Sequence, residues 1–421
     1  MLNRGIGKWD LVLLVINSII GAGIFGLPSK VFKLSGSYSL LAFIVCAIVA
    51  AIFIFVFAEV SSRFDKTGGP YVYVMEAFGS FTAFLVGWLL ILGRVFNYAT
   101  LINLLVVYFS FFSPVFAEPE GRVASILMLT TFLSWLNYIG VKDSTRFNNF
   151  ITVAKLIPLA IFIIVGFFFL QPQRFSFSTV PALSSFTGSV LLLVFAFGGF
   201  ESAIVNAGEM INPRKNLPFA LLFAAAVVVI FYCLIQFVSI GTLPTLASSE
   251  KPLADAAGLM MGKAGGLLIT VGAGISITGT LNAIMLSGSR VSFALSEQNQ
   301  FPKLFAWVHP GYRTPSWSIL FFTIIVSVVS IAWSFMSALN VAVIIRLVMY
   351  SSVCAALIKL RKKTEVKNYF KLRYGIPLAV AGMLLTICLL TSSKWKEILD
   401  FLIWLGAGLL LFGIINVLKK K

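Results

Sequence analysis

Apolar runs of about 20 residues recur along the whole chain and constrain its fold more than any other feature. A helix that crosses a bilayer needs about 20 mostly apolar residues. Because no water reaches the hydrocarbon core, each run has to be helical to satisfy its own backbone. The sequence therefore predicts an all-α integral membrane protein, with residues 1–421 forming a single transmembrane domain of twelve helices. The predicted spans are 10–34, 38–62, 78–112, 122–139, 148–170, 186–211, 218–240, 264–296, 317–333, 336–358, 375–391 and 398–417.

The composition excludes an ordinary soluble enzyme. Hydrophobic residues make up 59% of the chain and charged residues 11%, whereas soluble proteins average nearer half and a quarter. Cys46, Cys233, Cys354 and Cys388 all lie in apolar runs, and His309 is the single histidine. No C-x-x-C pair or Cys/His cluster is present to suggest a zinc site or a disulfide framework. We therefore predict that the protein uses no cofactor and no metal.

The net charge of +17 is explained by the positive-inside rule, by which Lys and Arg collect in cytoplasmic loops. If the N-terminus is cytoplasmic, the inner segments carry twenty basic residues and the outer segments eight. We therefore expect a cell-membrane protein with both termini in the cytoplasm. The basic cluster at 359–373 is expected to contact anionic lipid, so no nucleic-acid partner is predicted. The remaining four basic residues lie deeper within predicted spans: Arg94, Lys155, Arg290 and Arg346.

Two predicted spans contain glycines where a helix should be continuous. The first contains Gly21-Ala-Gly-Ile-Phe-Gly-Leu-Pro28 and the sixth Phe195-Ala-Phe-Gly-Gly-Phe-Glu-Ser202. Glycine costs roughly 1 kcal/mol relative to Ala in a helix, although close helix packing is an alternative explanation. The spans are five helices apart, as in transporters built from two inverted halves, whose Gly-interrupted spans mark a binding site near the membrane middle. The predicted repeats are about 10–170 and 186–358, followed by trailing helices at about 375–417.

A broken helix exposes backbone groups of both polarities. The amides of Ala22, Gly23 and Ile24 would begin the second half-helix and suit a carboxylate. Carbonyls at the ends of the first half-helices would suit an ammonium group. A ligand with both groups on neighbouring atoms is an α-amino acid, although other dipolar ligands also fit. The predicted ammonium-binding carbonyls are those of Ile19, Phe195 and Gly198.

Three motifs, in this order, resemble the amino acid, polyamine and organocation (APC) superfamily, most closely L-type amino acid transporters and bacterial permeases. Gly21–Pro28 resembles the first-helix signature of that superfamily. Phe195–Ser202 with Gly208–Pro218 is similar to the sixth helix and its loop, and Gly279–Arg290 to the eighth helix. The resemblance implies a LeuT-like fold, a five-plus-five inverted repeat with two further helices, in which helices one and six break at mid-membrane.

The same resemblance implies roles for individual residues. It places the substrate carboxylate at Ala22 and Gly23, with Ala196 in the binding set. Phe195 matches the aromatic gate that closes over the substrate from outside, although as one of 41 phenylalanines it could also be core filler. Ile284 stands where some antiporters have an aromatic residue and L-type members a small polar one, so neither specificity is carried over.

Ionisable groups within a span are functional by default. The resemblance places Lys155 where sodium-coupled relatives hold a sodium ion, which implies a fixed cation or proton carrier instead, although the side chain could snorkel to the interface. Glu201 could bind a cationic side chain, carry a proton, or cap the second half-helix. Arg346 is expected to neutralise a carboxylate such as Glu59.

We therefore predict a secondary active transporter that moves amino acids by alternating access. Proton-coupled uptake through Lys155 and Glu201 is the preferred mechanism, amino acid exchange is the alternative, and an intramembrane enzyme is a remote one. No P-loop motif for nucleotide hydrolysis is present. The sequence leaves the amino acid and the oligomeric state open, since Ile284 favours an apolar side chain and Glu201 a basic one.

Overall fold

The computed structural model describes residues 6–64, 68–139, 145–205, 210–298, 300–363 and 370–419. Apart from one isolated bridge, between Ile6 and Met210, the regular structure of these residues is helical. Nine segments of them are long and apolar enough to cross a membrane, and two shorter apolar helices accompany them. The predicted all-α integral membrane class is therefore confirmed. Gly208 and Glu209 of the sixth-span motif lie outside the described residues.

Each predicted span overlaps one or two of the α-helices, which we number α1 to α15. The clearest difference is α11, which begins twelve residues before the predicted limit because it joins two helical pieces at Gly262, whose φ is 65°. The helices are α1 (Lys8–Ile19), α2 (Gly23–Ser35), α3 (Ser39–Ser61), α4 (Pro70–Phe78), α5 (Ser80–Phe109), α6 (Pro119–Ile139), α7 (Thr145–Gly166), α8 (Leu183–Phe197), α9 (Phe200–Ile204), α10 (Pro213–Thr242), α11 (Pro252–Glu297), α12 (Ser316–Ala332), α13 (Phe335–Lys363), α14 (Gly375–Leu390) and α15 (Trp395–Lys419).

The helical path is interrupted at both glycine motifs. Between α1 and α2, Ile20 has extended backbone angles, with φ −74° and ψ 94°. Between α8 and α9, Gly198 is also extended, and Gly199 has φ 109°. Positive φ is readily adopted only by glycine, so Gly199 fixes the position of the second interruption.

The interrupted helices are packed inside the bundle. α1 packs against α7, α9 and α10, and α2 packs against α8. α5 is buried along most of its length between α11, α12 and α13. Helices at the outside instead expose large apolar side chains, such as Ile164 of α7 and Leu410 of α15. Hydrocarbon solvates such side chains well, so this surface suits a bilayer.

Candidate functional site

The two interruptions contact each other directly. A Cβ atom on Gly199 would lie 2.1 Å from the Ser18 carbonyl oxygen, and one on Gly23 would lie 2.7 Å from the Ala196 Cα. Only residues without a side chain allow backbones to approach this closely. The glycines therefore bring the end of α1 and the start of α2 against the end of α8 and the start of α9.

The start of α2 carries the amides that were predicted to bind a carboxylate. Ala22, Gly23 and Ile24 are buried, and none of their amides donates a hydrogen bond to another described residue. The first amides of a helix have no intrahelical acceptor, and the helix dipole makes this end positive. An anionic group is the chemical complement of such a site.

Lys155 of α7 contacts the C-terminal end of α1, where the helix dipole is negative. Its side chain is fully buried, and its Nζ donates to the Ile20 carbonyl at 2.7 Å and to the Asn17 carbonyl at 3.1 Å. The amine therefore points into the bundle and does not reach the interface. A cation is favoured there by the negative end of the helix.

Two carbonyls predicted to receive a substrate ammonium already have protein donors. The Tyr232 hydroxyl lies 3.3 Å from the Ile19 carbonyl and 3.2 Å from the Ala196 carbonyl, and its one proton can be donated to either. Arg346 Nη1 donates to the Phe195 carbonyl at 3.0 Å. A carbonyl oxygen has two acceptor positions, so each could still accept from a ligand. The Gly198 carbonyl accepts from no described residue.

Glu201 caps the start of α9 and is ion-paired. Its Oε2 accepts hydrogen bonds from the Gly199 amide at 2.9 Å and the Tyr350 hydroxyl at 2.7 Å. Its Oε1 lies 3.6 Å from Arg346 Nε. The carboxylate is therefore already neutralised by a cation of α13.

The sequence predicts that Arg346 neutralises a carboxylate, with Glu59 as an example, and in the structure that carboxylate is Glu201 and not Glu59. Both oxygens of Glu59 bind Arg361, at 2.7 and 2.6 Å, whereas Arg346 lies against the second interruption. A Cβ atom on Gly198 would lie 2.2 Å from Arg346 Nη1, so glycine is needed there to admit the guanidinium. The sequence marked Arg346 as a buried charge, but its partner is set by the packing of α13 on α8.

Arg94 of α5 brings a second guanidinium to α9. Its Nη1 donates to the Ser202 hydroxyl at 2.6 Å. A small cavity of ≈ 20 Å³ lies beside it, lined by Arg94, Asn97, Glu201 and Arg346 among other residues. The cavity thus places the Glu201 carboxylate near both guanidiniums, of which Arg346 pairs with it directly.

Phe195 and Ile284 are both buried, 5% and 2% exposed. The Phe195 ring centroid lies 5.5 Å from the guanidinium carbon of Arg346, so a gating motion of this ring would involve Arg346. Ile284 lies on α11 one turn beyond Thr280, whose side chain lies 3.9 Å from a Cβ on Gly21. α11 therefore faces the first interruption near Ile284.

Comparison with known proteins identifies the family. The amino acid permease family profile matches residues 6–415, almost the whole chain. The chain belongs to the amino acid permease family. This permease is 32% identical to the serine/threonine exchanger SteT of Bacillus subtilis over 90% of the chain and 87% of the relative. It is 30% identical to the methylthioribose transporter of the same organism, over 98% and 93%.

The permease also resembles a solved structure, that of MhsT in complex with L-phenylalanine. The TM-score is 0.68 with 13% sequence identity, over 94% of this chain and all of the other. At that identity the likeness concerns the fold alone. The predicted membership of the APC superfamily is confirmed. Like these relatives, the permease is a transporter and not an enzyme.

Sequence reasoning missed the two tyrosines of the site. Tyr232 and Tyr350 are fully or almost fully buried, and each donates its hydroxyl to one of the interruptions. A tyrosine within a span is a weak signal, because its ring alone fits an apolar core. The position of each hydroxyl depends on how α10 and α13 pack, which sequence spacing does not give.

Proposed function

We propose that the protein is a secondary active amino acid transporter of the cell membrane that works by alternating access. The observation that carries the proposal is the set of amides at Ala22, Gly23 and Ile24, which donate to no other described residue and suit a carboxylate. A serine/threonine exchanger among the relatives supports an amino acid substrate. A neutral thiosugar, as in the other relative's name, would leave these amides without an anion.

The proposed architecture is that of twelve spans with inverted repeats at about 10–170 and 186–358. The first and sixth spans would break near the membrane middle, and both termini would be cytoplasmic. The close contact of the two interruptions supports this arrangement, because corresponding breaks in inverted repeats meet at one substrate site. The substrate-binding set would be Ile19, Ala22, Gly23, Ile24, Phe195, Ala196, Gly198, Glu201 and Ile284, with Phe195 as gate.

The proposed energy source is the proton gradient, acting through Lys155, with Glu201 as a second candidate for a proton site. Charge-assisted hydrogen bonds from the Lys155 ammonium hold the end of α1 against α7, and such bonds are roughly twice as strong as neutral ones. Loss of the proton would weaken them and free α1 to move. Exchange without net proton movement is the alternative, in line with the exchanger named among the relatives.

Transport in proteoliposomes tests the proposal. We expect the purified protein to take up radiolabelled amino acids, with accumulation when the outside is made acidic. Lys155→Ala should insert normally and lose proton-driven accumulation by at least about tenfold, as expected when an essential coupling charge is removed. The matched control is Lys263→Ala, which removes an exposed lysine of α11.

Each other outcome has a definite meaning. If uptake requires amino acid on the opposite side of the membrane and no proton gradient, the mechanism is exchange and not proton symport. Unchanged pH-sensitive uptake by Lys155→Ala would remove this residue from the mechanism. Absence of uptake or exchange for every amino acid tested would contradict the proposed function itself.

A further inference from the structure

The buried charges around the two interruptions do not balance. Lys155, Arg94 and Arg346 are at most 8% exposed, and Glu201 is 6% exposed. The other buried carboxylate of the described residues, Glu59, is engaged with Arg361. In the part of the chain that the structure describes, three cations therefore face one anion around the proposed substrate site.

Two of these cations are compensated by the protein. Lys155 donates to carbonyls at the negative end of α1. Arg346 donates to the Phe195 carbonyl at the negative end of α8 and pairs with Glu201. Helix C-terminal carbonyls favour a cation, so neither charge requires a ligand.

Arg94 is the cation with the weakest compensation. Its hydrogen bond to a described residue goes to the neutral hydroxyl of Ser202. Ser202 lies in the first turn of α9, the positive end of a helix, which disfavours a cation. A guanidinium has five donors, and Arg94 also lines the cavity shared with Asn97 and Arg346. The Glu201 carboxylate lines the same cavity, but its oxygens already contact the Gly199 amide, the Tyr350 hydroxyl and Arg346. The remaining donors of Arg94 therefore suit a further anion.

Arg94 lies on the same helix as a residue that contacts the first interruption. Leu101 lies on the same helix and approaches a Cβ on Gly21 at 3.9 Å. Arg94 precedes Leu101 by seven residues, which is about 10 Å along a helix. The long arginine side chain covers part of this distance, and a side chain that ends in a carboxylate could cover the rest.

We propose that Arg94 binds an anionic side chain of the transported solute, so that the protein selects acidic amino acids over neutral and basic ones. This inference rests on the proposed function. The α-carboxylate would bind the amides at the start of α2, and the side-chain carboxylate would bind Arg94, because Arg–carboxylate pairs are commonly bidentate. The cavity is only ≈ 20 Å³, so α9 has to move away from α5 to admit the second carboxylate.

In this proposal the ion pair of Glu201 with Arg346 contributes to selection against basic amino acids. Because Glu201 is ion-paired with Arg346, it attracts a cationic side chain less strongly, and the nearby positive charge of Arg94 repels one. Selection against basic amino acids thus follows from the same charges that attract acidic ones.

Competition in proteoliposomes tests this selectivity. Uptake would be competed with unlabelled L-glutamate and L-aspartate, with their near-isosteres L-glutamine and L-asparagine, and with L-lysine. We expect the acidic compounds to compete at concentrations at least about tenfold lower than the amides, because an unpaired buried charge penalises a neutral replacement. Arg94→Gln should abolish this preference, and Arg94→Lys should restore part of it. Arg290→Gln, which removes an exposed arginine of α11, should leave the preference unchanged.

The outcomes separate the inference from the proposed function. Equal or better competition by glutamine and asparagine in the wild type would overturn the inference while amino acid transport stands. Competition by no amino acid would overturn the proposed function. Replacement of chloride by gluconate is the remaining arm: if neutral amino acid uptake needs chloride in the wild type and not in Arg94→Gln, the bound anion is free chloride and the side-chain assignment is wrong. Elution as a single monodisperse species checks that each variant is folded.

Discussion

Glu59 shows how far single residues decide stability in this protein. Its side chain is fully buried, and its oxygens accept from Arg361 and from the Leu372 amide. We expect Glu59→Ala to lower the free energy of unfolding by about 3–5 kcal/mol, because it leaves a largely buried guanidinium without its counter-ion. Thermal unfolding in detergent measures the effect.

The control for Glu59→Ala is Glu250→Ala, since Glu250 pairs with Lys30 at 2.8 Å but is 67% exposed. That change should lower the free energy of unfolding by less than about 1 kcal/mol; equal losses for the two variants would show that burial does not set the strength of the pairs.

The sequence marked Arg94, Lys155, Glu201 and Arg346 as unusual, because a charge in an apolar run can be recognised from the sequence alone. It could not assign the carboxylate partner of Arg346, because that partner depends on which faces of α8 and α13 meet.

At the scale of elements, the second interruption depends on Gly199. Its φ of 109° excludes a side chain, and so does the Ser18 carbonyl oxygen, which lies 2.1 Å from the position that a Cβ atom would take. We expect Gly199→Ala to lower the melting temperature and abolish transport, because positive φ costs about 1–2 kcal/mol and the clash forces α1 and α9 apart. Gly274→Ala in α11 is the control, since nothing lies within 4 Å of a Cβ there. It should be neutral or stabilising by up to about 1 kcal/mol.

Wild-type stability and transport in Gly199→Ala would contradict the close backbone contact. The glycine motifs in the sequence coincide with the positions where the helical path departs from α-helical angles, although close helix packing was an alternative explanation of these glycines. Sequence reasoning did not foresee that α9 is only five residues long, Phe200–Ile204, or that Gly262 bends α11. An apolar run measures how much chain is apolar, and it does not show where the helical hydrogen bonds stop.

At the scale of the whole molecule, the charge distribution predicts how the bundle sits in the membrane, and α14 is the strictest test. Gly375–Leu390 has 16 residues and rises about 24 Å, less than the roughly 30 Å of the hydrocarbon core. If it spans, the bilayer has to thin or flanking residues have to complete the span. The order of spans could be predicted from apolar length. The charge balance at the centre could not, because it depends on which faces of the packed helices meet.

Arg373 and Lys396 are exposed on either side of α14, and cysteines placed there test the orientation. In a background with Cys46, Cys233, Cys354 and Cys388 replaced by Ser, we expect Lys396→Cys to react with a membrane-impermeant maleimide in intact cells. Arg373→Cys should react only after permeabilisation, because the basic residues around it hold its loop in the cytoplasm. The reverse pattern would invert the proposed topology, and labelling of both sites in intact cells would mean that α14 does not cross. Because α14 follows ten of the proposed spans, its orientation also tests whether that number is even, as cytoplasmic termini require.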